Sequence, residues 1–141
     1  MEIYLFSNIT LDDNEVSKDA IKKVKKIAKE NHIFQLGIKY KKYGKPYFSK
    51  EKKVHFNISH TMGITAICFS NREIGIDIER ADYFNEKIIT NFFNKAEKKE
   101  IAKYSKNKTE EKMKAVEIWT RKEAIGKCRG EGLVLTRQIK L

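Results

Sequence analysis

At 141 residues the chain has room for about one domain with a modest core, and 40% hydrophobic with 11% aromatic content excludes a disordered chain. Thirty Lys and Arg against 19 Asp and Glu leave a net charge of +11, a field that attracts polyanions: nucleic acid, an anionic membrane, a phosphorylated metabolite or an acidic protein. No apolar run approaches the roughly 18–20 residues of a membrane span, and MEIYLFSNI lacks the basic segment that opens a signal peptide, so a cytoplasmic protein is expected.

Residues 2–9 have the pattern of a first strand. Asp12 to Asn14 offer capping side chains for a helix over about 15–31, with Val16, Ala20, Val24, Ile27 and Ala28 as its apolar stripe and lysines 18, 22, 25, 26 and 29 on the other face. A strand at Leu36–Tyr43 stops at Gly44-Lys45-Pro46, the only proline of the chain. After a charged loop at 49–53, Val54–Ile58 is a short strand that runs out into Ser59-His60-Thr61-Met62-Gly63. Ile64–Ser70 is an apolar strand, expected to pair through an Asn71-Arg72 turn with a strand at Ile74–Glu79, a hairpin at the centre of the sheet. Helical segments are expected at about 85–94, 95–105 and Glu110 to Cys128, and a last strand over Leu133–Leu141. Cys68 and Cys128 form no zinc or redox motif. The expectation is one α+β domain.

The chemistry concentrates in three places. In Ile74-Gly75-Ile76-Asp77-Ile78-Glu79 the isoleucines alternate with the other residues. On extended backbone Asp77 and Glu79 then share a face, roughly 6.5–7 Å apart, where two like charges call for a hard, oxygen-seeking cation such as Mg²⁺. In the long helix Glu123 and Lys127 are four apart and share one face, and Gly126 costs that helix up to roughly 1 kcal/mol against Ala, which points to a close approach of backbone or ligand. Taken alone the pair fits a surface Glu–Lys contact, and Trp119 fits the core. At Asn57-Ile58-Ser59-His60, a Ser, a His and exposed N–H groups at a strand end suit phosphate; a His–Ser nucleophilic pair is the weaker alternative, since adjacent extended residues point apart.

Taken in order, Tyr43-Gly44-Lys45-Pro46, Phe56-Asn57-Ile58-Ser59-His60, Ile74 to Glu79, Trp119 to Lys127 and Arg129-Gly130-Glu131-Gly132-Leu133 resemble the 4′-phosphopantetheinyl transferases of the surfactin-synthetase-activating type, over roughly residues 40–135. The resemblance implies that family's fold, two small pseudo-symmetric α+β halves, here about 1–71 and 72–141. It implies transfer of the phosphopantetheine arm of coenzyme A to a serine of an apo carrier protein, with release of adenosine 3′,5′-bisphosphate. By similarity Asp77, Glu79 and Glu123 hold Mg²⁺, Glu123 serves as base on the serine, and Lys127, helped by Lys122, reaches the phosphates. Ser59 and His60 correspond to phosphate contacts, Lys45 and Pro46 to the turn against the adenine, and Lys22 to a position where the family often has an Arg for the 3′-phosphate. The positive charge then has two targets, coenzyme A and an acidic carrier protein, with no nucleic-acid or membrane partner.

Relative to the larger family members the segment before Lys18–Lys22 is short, and the chain stops at Leu141 where they continue with further strands. A monomer of two halves is the expected layout, with a homodimer covering a bared sheet edge as the other. Two rival readings remain: a catalytically inactive relative that binds coenzyme A or a carrier protein, and a basic nucleic-acid-binding module, which lacks any aromatic-basic motif.

Overall fold

Ahead of the first helix, the apolar run Ile3 to Phe6 starts an antiparallel sheet. The computed structural model describes residues 1–34, 36–132, 136 and 138–141. Strands β1 (Glu2–Ser7), β4 (His55–Thr61) and β5 (Ile64–Ser70) form a sheet in the order β1-β5-β4, and β2 (Ile38–Tyr40) pairs with β3 (Pro46–Phe48) in a separate hairpin. Helix α1 (Asp13–Glu30) follows β1, and α2 (Lys87–Phe92), α3 (Lys95–Ala102) and α4 (Lys108–Arg129) fill the second part of the chain. The expected α+β class holds.

Register divides the sheet into two faces. Tyr4, Phe6, Ile67, Phe69, Phe56 and Ile58 share one face and pack with Val24, Ile27 and Ala28 of α1 in the first apolar cluster. Asn57, Ser59, Ala66 and Cys68 share the other, together with Ile3 and Leu5. A second cluster, Phe93, Ile101, Ala115, Ile118 and Trp119, ties α4 to α3. Caps set the helix ends: Asp12 and Glu15 form a reciprocal capping box on α1, Asn94 and Glu97 do the same on α3, and Gly130 at φ 70° closes α4.

Three expectations change. The strand at Leu36–Tyr43 is shorter, and beyond it Gly44 (φ 84°) turns the chain into β3, which Pro46 opens at Tyr40's partner position. The hairpin partner of β5 is β4, through Met62-Gly63, not Ile74–Glu79. Ile74–Glu79 belongs to no strand. It runs along β4 with its Ile76 and Ile78 N–H groups donating to Asn57 Oδ1 (2.9 Å) and Ser59 Oγ (3.2 Å), so side chains take the place of a backbone ladder. The expected strand over Leu133–Leu141 falls partly on Leu133, Val134, Leu135 and Arg137, which lie outside the described residues; no strand includes residues 136 or 138–141.

Candidate active site

The acidic segment is pressed onto α4 at Gly75. A Cβ there would stand 2.0 Å from Ala124 O and 2.4 Å from Cys128 N, both helix backbone, so only glycine fits. From this contact the segment runs antiparallel to α4. The long Lys127 side chain reaches Asp77, and Glu79 lies beside the Trp119 indole, nearer the start of the helix.

The resulting cluster is buried at Ser59 and at the Asp77 side chain and opens to water at Glu79. Lys127 Nζ lies 2.6 Å from Asp77 Oδ1, and the Asp77 side chain is 4% exposed against 30% for Lys127. Buried Ser59 joins both: its hydroxyl donates to Asp77 Oδ1 at 3.0 Å and accepts from Lys127 Nζ at 2.8 Å and from Ile78 N. Trp119 Nε1 donates to Glu79 Oε1 at 3.0 Å. Burial, and then the Asp77 charge, push the Glu123 carboxyl above its ordinary value, while Lys127 pulls the other way. Glu79 is raised by the same two causes in the same order, with Trp119 and Lys127 opposing.

Two oxygens have no partner. Asp77 Oδ2 and Glu123 Oε1 are buried and accept no hydrogen bond among the described residues. A buried carboxylate oxygen left bare costs at least about 1–3 kcal/mol, and a hard cation with oxygen coordination relieves it. As placed, no three His, Cys, Asp or Glu side chains among the described residues are gathered closely enough to hold a metal ion.

This geometry coincides with a sequence match. The family model described as the 4′-phosphopantetheinyl transferase superfamily matches residues 73–140, a range that contains Asp77, Glu79, Glu123 and Lys127. Over 109 residues, 77% of the chain, it is 35% identical to the 4′-phosphopantetheinyl transferase gsp of Aneurinibacillus migulanus. It is 38% identical over 94 residues to the 4′-phosphopantetheinyl transferase Sfp of Bacillus subtilis, and 36% identical over 93 to ffp from the same species, each match covering 66% of the chain. The chain belongs to the 4′-phosphopantetheinyl transferase superfamily. It spans 41–43% of the length of these three relatives.

Against this superfamily, the structure brings Asp77, Glu79, Glu123, Lys127 and Ser59 together and takes other expected residues elsewhere. Lys122 is a correction. It lies 100° around α4 from Glu123, is fully buried, and donates to both oxygens of Glu97 at 3.0 Å and to Ile139 O, which leaves it no path to a phosphate. Lys45 is a second. Its three ammonium protons go to Glu73 (2.8 Å), Ile74 O (3.0 Å) and Cys128 O (2.8 Å), so it clamps the start of the acidic segment to the end of α4. Glu73 also accepts from Lys41, and although burial raises its carboxyl, the two ammonium groups outweigh that and bring it down to about 2. Ser59 sits in the cluster with its one donor and two acceptor sites spent on Asp77, Lys127 and Ile78.

His60 alternates with Ser59 and faces the other side of the sheet, where it lines a cavity of about 620 Å³ with Leu11, Val16, Met62 and Arg80. Pro46 opens β3, and Lys22 is exposed on α1. The sequence reading missed the roles of Asn57, Glu73 and the Trp119 indole. For Asn57 a signal was present, since His55, Asn57 and Ser59 alternate with the apolar Val54, Phe56 and Ile58.

Proposed function

We propose that the protein transfers the 4′-phosphopantetheine group of coenzyme A to a serine of an acidic apo carrier protein, with Mg²⁺ held by Asp77, Glu79 and Glu123. The observation that carries this reading is the pair of bare buried oxygens, Asp77 Oδ2 and Glu123 Oε1, beside the Lys127 ammonium. When bound, Mg²⁺ neutralises charge on the coenzyme A diphosphate. Lys127, at the mouth of the cluster, pairs with a phosphate oxygen. The raised proton affinity of Glu123 suits it to take the serine proton as the serine oxygen bonds to the phosphorus bearing the pantetheine arm and the bond to adenosine 3′,5′-bisphosphate breaks. Ser59 and Trp119 hold Asp77 and Glu79 in place.

The two apolar clusters, one within residues 4–69 and one within 84–119, support halves divided near residue 71. The reading assigns the +11 charge to coenzyme A and an acidic carrier, with neither nucleic acid nor membrane as partner, and a cytoplasmic setting agrees with two free cysteines. Among the described residues no helix is long and apolar enough to cross a membrane. A homodimer through the β1 edge belongs to the same reading, because Ile3 and Leu5 are 53% and 61% exposed there.

The test is to incubate the protein with coenzyme A, Mg²⁺ and apo carrier proteins and weigh the carriers. A phosphopantetheine mass gain that EDTA and Asp77→Ala abolish supports the transfer. Coenzyme A binding without mass gain on any carrier favours a binding-only relative, and tight salt-sensitive RNA or DNA binding without coenzyme A affinity overturns both.

A further inference from the structure

We propose that Lys127 makes the binding of the divalent cation and of the diphosphate interdependent: its ammonium opposes the cation alone and favours the two together. The inference rests on the cation- and diphosphate-binding reading above and goes beyond it, since that reading requires only that each ligand bind.

Asp77 raises the proton affinity of both Glu79 and Glu123, so the three carboxylates feel one another's charge, and Lys127 is the cation felt by both Glu79 and Glu123. Its Nζ takes Asp77 Oδ1 together with Ser59, while Oδ2 of the same carboxylate stays bare. A dication on Oδ2 therefore stands beside an ammonium on Oδ1, and because the Asp77 side chain between them is only 4% exposed that repulsion is weakly screened. The ammonium thus fills part of the demand for positive charge before any cation arrives. A diphosphate changes the balance. Its oxygens bring negative charge between the two cations and give Lys127 a second acceptor on its solvent side, which the 30% exposure of its side chain leaves reachable. Cation and diphosphate then raise each other's affinity by one and the same factor.

The test compares wild type with Lys127→Gln, which can still donate to Asp77 but carries no charge, and Lys127→Arg, which keeps the charge; circular dichroism checks that each is folded. Binding of Mg²⁺ alone is measured by calorimetry and of Mn²⁺ by paramagnetic resonance, each with and without methylenediphosphonate and corrected for the cation–diphosphonate complex in solution. Removing one adjacent charge is expected to tighten cation binding to Lys127→Gln about tenfold or more, with Lys127→Arg within about threefold of wild type. Methylenediphosphonate is expected to tighten cation binding to wild type at least about tenfold and to Lys127→Gln no more than about threefold. If wild type binds the cation and Lys127→Gln binds it no more tightly, the coupling role is wrong and the cation site stands. If none of the three proteins binds Mg²⁺ or Mn²⁺ with or without the diphosphonate, the cation reading itself falls and the coupling with it.

Discussion

Gly75→Ala tests how the site is assembled, because the substitution adds one methyl group where the structure has helix backbone. The new Cβ would sit 2.0 Å from Ala124 O, against 3.4 Å or more for ordinary contact, and neither Ala124 O nor Cys128 N is a side chain that can swing away. The acidic segment must lift off α4 by about 1.4 Å, the difference between those two distances. That moves Lys127 Nζ from 2.6 Å to beyond hydrogen-bond reach of Asp77. Loss of this charge-assisted bond costs about 1.5–3 kcal/mol, and overpacking adds about 1–3 kcal/mol. The expected destabilisation is about 3–5 kcal/mol, a fall in Tm on the order of 10–20 °C for a chain of this size. Urea and thermal unfolding measure it, and carrier mass gain measures the accompanying loss of transfer. Gly126→Ala is the matched control: its Cβ would meet two side-chain atoms, the Thr136 hydroxyl at 3.1 Å and Ile139 Cδ1 at 3.7 Å, and Ala improves the helix by about 1 kcal/mol. That variant should stay within about 1 kcal/mol of wild type. Should Gly75→Ala match Gly126→Ala in stability and activity, the helix contact does not position the carboxylates and the account of the site's assembly is wrong.

Trp119→Phe keeps an aromatic ring in the second core but removes the donor to Glu79, and because Glu79 is exposed to water the cost should be about 1–2 kcal/mol, read from urea unfolding, with weaker Mg²⁺ binding by calorimetry. Lys122→Met strands the Glu97 carboxylate, 3% exposed, and should cost about 3–5 kcal/mol; adding Glu97→Gln, which preserves the α3 capping box, should recover more than half, and a single-variant cost below about 1 kcal/mol would refute the buried pair. Glu123→Gln should end transfer yet stabilise the protein in EDTA at pH 7. The folded Glu123 carboxyl lies above its ordinary 4.5, so between those values the folded state holds more protons than the unfolded one, and stability falls as pH rises through the window. Glutamine has no such penalty, so its Tm advantage should be present at pH 7 and vanish as the pH drops below about 4.5.

Periodicity made α1, β5 and α4 legible because each buries a continuous apolar stripe or run, and capping side chains marked the start of α1; α4 begins at Lys108, two residues before the expected Glu110, where Asn107 caps it. β3 was not legible. It is three residues long, begins at a proline and has its pairing set by a five-residue turn, so no period can develop. Lys122 and Lys127 show how a residue's type and its direction separate. Both are lysines near Glu123, but 3.6 residues per turn put Lys127 about 40° from Glu123 and Lys122 about 100° away, on the side that packs against Glu97. Motif order placed both at a phosphate, and the helix turn alone separates them.

The strand expected at Ile74–Glu79 failed in an instructive way, because half of it was right. Alternation is a property of extended backbone, and Gly75, Asp77 and Glu79 do share the face turned to α4. A hydrogen-bonded ladder is a property of the neighbour, and here the acceptors are the Asn57 and Ser59 side chains rather than β4 carbonyls. The substitution has a chemical consequence. A carbonyl can only accept, whereas the Ser59 hydroxyl accepts from Ile78 N and Lys127 while donating to Asp77, so one side chain both docks the segment and aligns its acid with its base. A backbone ladder at this position would fix the segment equally well and leave Asp77 and Lys127 without their common anchor.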